Sequence, residues 1–278
     1  MSTPRSPAHG APADAWLEPM FEGLIGKNTY YPSQLGGSMR VHRDERHAVI
    51  FSGFKTDTFN LVISQRLGAE APSLIGRVCG EFNATGLPAE WWTCDELREE
   101  AVSGLLQRHG FAEDEVDVGM VAELSHLSPL EYPAGLVLKP VQTPEEMVGF
   151  GEVISSLFNP PDPHVARFYE QVARLGRLAD RPLMLFLALL DGRPVGTSSI
   201  FLSGEGAHIF DISTRAEHRN RGYGSAITHF SLMFARRLGA RFGALQAAPD
   251  GLNIYRRMGF REVCTFRVYS NKHAVLER

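Results

Sequence analysis

The sequence predicts a mixed α/β (α+β) protein, a mostly antiparallel sheet flanked by helices and built as two units in tandem. Three observations carry that expectation. Short apolar runs with strand character alternate with stretches whose apolar residues recur at helical spacing. Turn chemistry such as Asp191-Gly192 joins neighbouring runs as hairpins. A segment at residues 125–135, carrying Pro129 and Pro133, separates two halves of similar length in a chain of 278 residues.

The elements follow in order. Runs 47–54 and 59–67 flank Lys55-Thr56-Asp57-Thr58 and read as an antiparallel hairpin. A helix is expected over 71–84, where Leu74, Ile75, Val78 and Phe82 share a face, and an aromatic strand over 90–93. Asp95 is the expected N-cap of a helix that carries Leu97, Ala101, Leu105 and Leu106 up to Gly110. A strand at 116–124 closes this half.

The second half opens with a strand at 136–141. Thr143-Pro144-Glu145-Glu146 then starts a helix, with Thr as cap, Pro in the first helical position and acids against the dipole. Pro160, Pro161 and Pro163 end it, and another helix is expected over 164–178. Strands at 183–190, 194–201 and 207–213 lead to a helix over 224–238, with Ile227, Phe230, Phe234 and Leu238 on one face. A strand at 242–247, a short helix at 253–258 and a strand at 263–269 complete the order βααβββαβαβ. The expected division is a disordered tail at 1–14, units at 15–128 and 136–278, and a linker at 129–135.

Composition narrows the function. Hydrophobic residues make up 44% and charged residues 22%, as in ordinary globular chains. A net charge of −4 excludes a polycation that coats nucleic acid or an anionic membrane. The longest apolar run, 183–190, is too short to span a bilayer, and residues 1–14 lack the apolar core of a signal peptide. Cys79, Cys94 and Cys264 form no CxxC pair. That points to a reducing, cytoplasmic setting and away from a disulfide framework or a Cys-rich zinc site, so no metal is expected. Only four of the 28 basic residues are lysines, which reads as genomic base composition and suggests a bacterial source.

The informative segment is Arg219-Asn220-Arg221-Gly222-Tyr223-Gly224. It joins a strand to a helix, where the first helical amides lack partners and the dipole adds positive potential. Glycines let the backbone approach an anion, and the arginines add charge, so the segment predicts a pyrophosphate site. A dinucleotide fingerprint would need a third glycine where Ile227 stands, and a P-loop would need a following Lys-Ser/Thr pair. Neither is present. Arg215, Arg236, Arg237 and Arg241 lie in the same stretch of chain, so the arginines are expected to concentrate around this loop.

The six-residue spacing resembles the Arg/Gln-x-x-Gly-x-Gly/Ala motif of the GNAT acyltransferases. A second match at Gln107-Arg108-His109-Gly110-Phe111-Ala112 ends a helix, where the dipole repels phosphate, and is set aside. Residues 249–260 are similar to the family's later motif, in which a tyrosine stands four residues before Gly-Phe; here it is Tyr255, before Gly259-Phe260. The resemblance covers residues 136–278. It implies acetyl-CoA as co-substrate and Tyr255 as the acid that protonates the departing thiolate.

It further implies that the splayed strand residues Ile212, Ser213 and Thr214 meet the acyl and pantetheine arm, while Arg219, Asn220, Arg221, Gly222, Tyr223, Gly224 and Ser225 hold the pyrophosphate. Arg236, Arg237 and Arg241 would reach the 3′-phosphate. Ala248 departs from the family, which often has Asn or Ser there. Asp211 interrupts an apolar strand and is the candidate base, with a structural carboxylate as the competing reading. His208 is a weaker base candidate, and Glu217 and His218 read as loop surface.

Aligning Gly110-Phe111 with Gly259-Phe260 places Leu106 at the tyrosine position, so the first half reads as a degenerate GNAT-like repeat. Trp91, Trp92, Tyr30 and Tyr31 are candidates for a groove between halves or for core. The expected function is acyl-CoA-dependent N-acyltransfer, acetyl to a primary amine by direct attack. A non-catalytic acyl-CoA-binding or regulatory protein is the alternative. The acceptor is a small-molecule or peptide amine, no nucleic acid or membrane partner is expected, and a homodimer is compatible with the chain.

Overall fold

The computed structural model describes residue 7 and residues 11–37, 39–98, 100–176, 178 and 181–276. The chain runs α1 (Leu17–Leu35), β1 (Arg40–Arg43), β2 (His47–Phe51), β3 (Leu61–Ser64), α2 (Ala71–Thr85), β4 (Glu90–Cys94), α3 (Ala101–Arg108) and β5 (Ala112–Glu123). It continues β6 (Leu136–Pro140), α4 (Pro144–Ser155), α5 (Pro163–Ala173), β7 (Leu183–Leu190), β8 (Arg193–Ser203), β9 (Gly206–Thr214) and α6 (Tyr223–Arg237). Then follow β10 (Phe242–Ala247), α7 (Leu252–Arg257), β11 (Arg261–Ser270) and α8 (Lys272–Leu276).

The eleven strands among the described residues form one sheet in the order β1-β2-β3-β4-β11-β5-β10-β9-β8-β7-β6. The order reads alike inward from β1 and from β7, with β6 added outside β7 at the second edge. β1, β2, β3 and β4 repeat the arrangement of β7, β8, β9 and β10, down to the parallel pairs β3–β4 and β9–β10 in a mostly antiparallel sheet. Each half ends in a strand that pairs with the other half: β11 lies against β4, and β5 lies against β10. β5 and β11 pair antiparallel at the centre. Neither half can leave without breaking three strand pairings.

Local chemistry explains the elements. Thr143 caps α4 by accepting from the Glu146 amide, and the hairpin turn takes left-handed φ at Asp191 and Gly192. Two of the expected elements differ in the structure, and α1, β1 and α8 were not expected. Asp95 does not cap a helix, because its carboxylate accepts from Arg267 Nε and from Arg98; α3 begins only at Ala101. The helix expected over 164–178 ends at Ala173.

The long helix α1 is new. Leu17, Met20, Phe21, Leu24 and Ile25 are buried at helical spacing and pack with Val121, Phe242 and Phe266 near the sheet centre. Burial of each large side chain contributes about 2 kcal/mol. Gly23 permits the close approach: a Cβ there would stand 2.0 Å from the His208 ring. Trp16 is buried at the end of a short 3-10 turn, Ala13–Trp16, while most of the expected tail at 1–14 lies outside the described residues. A second core unites the halves, with Phe59 stacked on Phe168 at 3.9 Å between ring centroids. Among the described residues, no helix is long and apolar enough to cross a membrane.

Candidate active site

The site begins where two strands part. β9 and β10 pair only from Gly206 and Phe242 to His208 and Ala244. Beyond that point β9 stays with β8 as far as Thr214, and β10 stays with β5 as far as Ala247. The fork opens into a cavity of about 460 Å³. Ile209 to Ile212 line one wall; Gln246, Ala248 and Tyr255 line the next. The remaining walls come from the first half: Lys27 and Asn28 of α1, Glu90 and Trp92 of β4, and Asp117 of β5.

At the fork, β9 carries a bulge. Thr197 pairs with Ser213 and Ser199 with Phe210, so Asp211 and Ile212 together oppose Ser198. Asp211 takes a left-handed φ of 55°, which costs about 1 kcal/mol for a non-glycine residue. Its neighbours hold it there. Thr197 Oγ1 donates to the Asp211 carbonyl (2.7 Å), Ser199 Oγ to Oδ2 (2.5 Å) and Lys27 Nζ to Oδ1 (2.9 Å). Both carboxylate oxygens are therefore engaged, which suits an anchor for Lys27 better than a proton acceptor.

Asp117 is different. It is the first residue of β5 beyond the pairing with β10, and it is 6% exposed. Its Oδ1 finds no hydrogen-bond partner among the described residues. Burial, reinforced by the negative charge of Glu115 and by a hydrogen bond between the two carboxyl groups, pushes its carboxyl up to about 7. Tyr255 lines the same cavity from α7. Burial, and then the charge of Asp117, push the phenol up to about 12, so it keeps its proton at neutral pH. Glu90 is pushed up to about 8 by burial and by the charge of Asp57, while the Trp92 indole donates to its Oε2 (2.8 Å) and works the other way.

The glycine loop lies at the start of α6. Gly222 has φ 80°, a conformation that any side chain would strain, and no side chain caps the first turn of α6. Tyr223 is buried in the core and pins the helix start, which leaves the amides of 223–225 without a side-chain acceptor. Arg219 and Arg221 are exposed and rest on the carbonyls of Thr214 and Glu217. This geometry fits a pyrophosphate at a helix N-terminus.

The wider arginine cluster does not form. Arg215 turns to the Pro194 carbonyl and toward Glu152. Arg236 and Arg237 sit in the last turn of α6, roughly 20 Å along the axis from its start, and Arg241 pairs with Glu205 beyond it. Proximity in sequence misled here because a helix carries its two ends apart. His208 lies under Gly23 rather than in the cavity, and burial holds it down to about 4, hence neutral. Glu217 and His218 lie in a 3-10 turn, Ala216–His218, with Glu217 exposed.

Of the four aromatic candidates, Trp92 lines the cavity and Trp91 is core, donating to Ser64. Tyr31 lines a narrow neighbouring pocket and packs on Tyr30. The sequence reading missed Lys27, Glu90 and Asp117. Asp117 carried the signal that singled out Asp211, an acid inside an apolar alternation, Val116-Asp117-Val118.

Residues 150–260 match the Acetyltransferase (GNAT) family. That segment contains the glycine loop and Tyr255; the first half lies outside the match. Solved structures share the fold of nearly the whole chain. A GCN5-related N-acetyltransferase from Kribbella flavida is 18% identical with a TM-score of 0.64, covering 89% of this chain and 95% of that one. A tandem GNAT protein from the clavulanic acid biosynthesis pathway is 12% identical with a TM-score of 0.57, covering 87% and 86%. A GCN5-related N-acetyltransferase from Sphaerobacter thermophilus is 14% identical with a TM-score of 0.55, covering 97% and 96%. No curated protein sequence matches the chain.

Proposed function

We propose that the chain is an acetyl-CoA-dependent N-acetyltransferase of a primary amine, with residues 136–278 as the catalytic repeat and 15–128 as a repeat that has lost its own chemistry. One observation carries this reading: the β9–β10 fork opens between an uncapped glycine loop and a cavity in which Tyr255 and Asp117 stand together. The loop, residues 219–225, takes the pyrophosphate of the co-substrate. Residues 212–214 of the free edge of β9 meet the acyl and pantetheine arm.

Asp117 takes a proton from the acceptor ammonium, and the freed amine attacks the thioester carbonyl. The N–C bond forms and the C–S bond breaks. Tyr255 gives its proton to the leaving sulfur and regains one from the new amide nitrogen; Asp117 returns its proton to solvent. Holding amine and thioester together supplies most of the rate enhancement. We assign Asp211 to fixing Lys27 and the bulge.

Incubation with acetyl-CoA and a panel of primary amines, read as free thiol, tests the proposal. Amine-dependent thiol release is the expected result. Coenzyme A binding without turnover on any amine would instead make the chain an acyl-CoA-binding protein.

A further inference from the structure

Outside the cavity lining, the sheet brings sulfur atoms together. Cys94 ends β4 in the first half, and Cys264 lies on β11 in the second. The register explains how they meet. Cys94 pairs with Phe266, and the next amide, that of Asp95, donates to the Thr265 carbonyl (2.9 Å). Continued by one residue, that register sets Glu96 opposite Cys264. Both cysteines and Glu96 then share one face, with the sulfurs on a diagonal.

The side chains converge accordingly. Cys94 Sγ, Cys264 Sγ and a carboxylate oxygen of Glu96 lie within 4.8 Å of one another. The Cys94 thiol donates to Glu96 Oε2 (3.0 Å), and the Cys264 thiol points at Met20 Sδ (3.8 Å). Gly119, opposite Cys264 on β5, leaves the room: a Cβ there would stand 2.3 Å from the Cys264 sulfur. Cys94, Cys264 and Met20 are buried, whereas Glu96 is exposed and opens the cluster to solvent. The Thr265 amide also donates to Glu96 Oε2 (3.2 Å) and holds the carboxylate beside the sulfurs.

Two thiols, a thioether and a carboxylate make a donor set for a thiophilic divalent cation. Tetrahedral zinc, with Zn–S about 2.3 Å and Zn–O about 2.0 Å, keeps its donors about 3.5–4 Å apart, within the span of this cluster. A disulfide would use the two sulfurs alone; a cation also accounts for Glu96 and Met20, both turned toward them. The cysteines lie far apart in the chain, so spacing along the sequence gives no sign of a metal site. Only the β4–β11 pairing brings them together.

We propose that Cys94, Cys264 and Glu96 hold a zinc-class divalent cation, with solvent in the fourth position and the Met20 thioether against the inner side. Two S–H bonds break, two metal–sulfur bonds form, and both protons pass to solvent; nothing is oxidised. The ion staples β4 of one half to β11 of the other. The proposal is independent of the acetyltransferase reading, and failure of either leaves the other in place.

Cadmium, as a thiolate reporter, and zinc test it on the full chain freed of metal with a chelator. One equivalent of CdCl2 should produce the ultraviolet charge-transfer band of cadmium thiolate, and ZnCl2 should remove it by competition. Cys94→Ser and Cys264→Ser should each lose about 100-fold or more in zinc affinity by calorimetry. Cys79→Ser, which alters the third free cysteine, should bind as the native chain does. Glu96 is exposed, so Glu96→Gln leaves the core intact; it should weaken zinc about tenfold and keep the cadmium band at saturation. Zinc at about 100 times its Kd should raise Tm by about 5 °C. Absence of the cadmium band, a band that survives both cysteine variants, or unchanged zinc affinity in Glu96→Gln would overturn the proposal. So would a loss of two hydrogens from the intact mass of chain purified without reductant, which would make Cys94 and Cys264 a disulfide pair.

Discussion

The two halves of the molecule use one architecture at two equivalent places and differ in the residues that stand there. α3 and α7 end in the same way. The amides of His109, Gly110 and Phe111 return to the carbonyls of Leu106 and Gln107, and those of Met258, Gly259 and Phe260 return to Tyr255 and Arg256, all at 3.0–3.1 Å. Gly110 and Gly259 both take left-handed φ. The residue held at the cap is Leu106 in one half and Tyr255 in the other.

The helix-opening loops compare likewise. Before α2, Gln65-Arg66-Leu67-Gly68-Ala69-Glu70 keeps the Gln/Arg-x-x-Gly spacing, and Gly68 has φ 64° as Gly222 has 80°. Where Gly224 stands in the second half, the first has Glu70, an acid at the helix start. Capping and packing preserve the fold because every repeat needs them. The repeats differ at two side chains, Glu70 against Gly224 and Leu106 against Tyr255.

That comparison can be broken most forcefully by exchanging loop residues. Gly224→Glu copies the first half into the second and should weaken coenzyme A binding by about 100-fold or more, measured by calorimetry. The native chain should bind one coenzyme A per molecule, and a stoichiometry of two would mean that Glu70 does not silence its loop. Next in size is Tyr255→Leu, which copies Leu106. Turnover should fall about 100-fold with coenzyme A affinity unchanged, and Tyr255→Phe should behave alike because only the phenolic proton is lost. Full activity in Tyr255→Phe would remove the tyrosine from the reaction.

Asp117 gives a pH-dependent test. Glu115 on its own strand, Tyr255 on α7, and Glu90 and the Lys27–Asp211 pair across the cavity are the ionisable groups around it. With its carboxyl near 7, kcat/KM should rise as pH passes through about 7, and Asp117→Asn should abolish that limb. Stability runs the opposite way. The folded value lies above the ordinary 3.8, so folding favours the protonated acid and stability falls as pH rises from about 4 through 7. Asp117→Asn should therefore melt above the native protein at pH 8 by roughly 4–10 °C, and match it at pH 4. A variant less stable than native at pH 8 would show that Asp117 is a structural ion.

The smallest effect is expected at Asp211. Asp211→Asn should cost on the order of 1–2 kcal/mol in denaturant unfolding, through the lost pairing with Lys27, and leave the acid limb of the rate profile in place. Loss of that limb would return the role of base to Asp211.

Much of this site was legible in the sequence, and the reason is local. The glycine loop at 219–224, the tyrosine before Gly259-Phe260 and the cap at Thr143 are each set within a few residues by backbone sterics and orphan amides. α1 was not read from the sequence: Leu17, Met20, Phe21, Leu24 and Ile25 repeat at helical spacing, but Gly23, Gly26 and Pro32 obscure the pattern. The arginines show the limit of such reading: six lie within 27 residues of chain, yet α6 carries Arg236, Arg237 and Arg241 to its far end.

The sequence by itself determined most of the elements, the cap at Thr143 and the glycine loop before α6, because these depend on neighbours along the chain. Tertiary structure alone decided that β5 and β11 cross between the halves. Alternation along a strand tells which face is buried but not which strand lies beside it. That crossing brings Asp117 of one half to Tyr255 of the other, and α1, seated through Gly23, brings Lys27 to Asp211. The acceptor wall is thus made of residues far apart in the chain, fixed by pairings between distant segments.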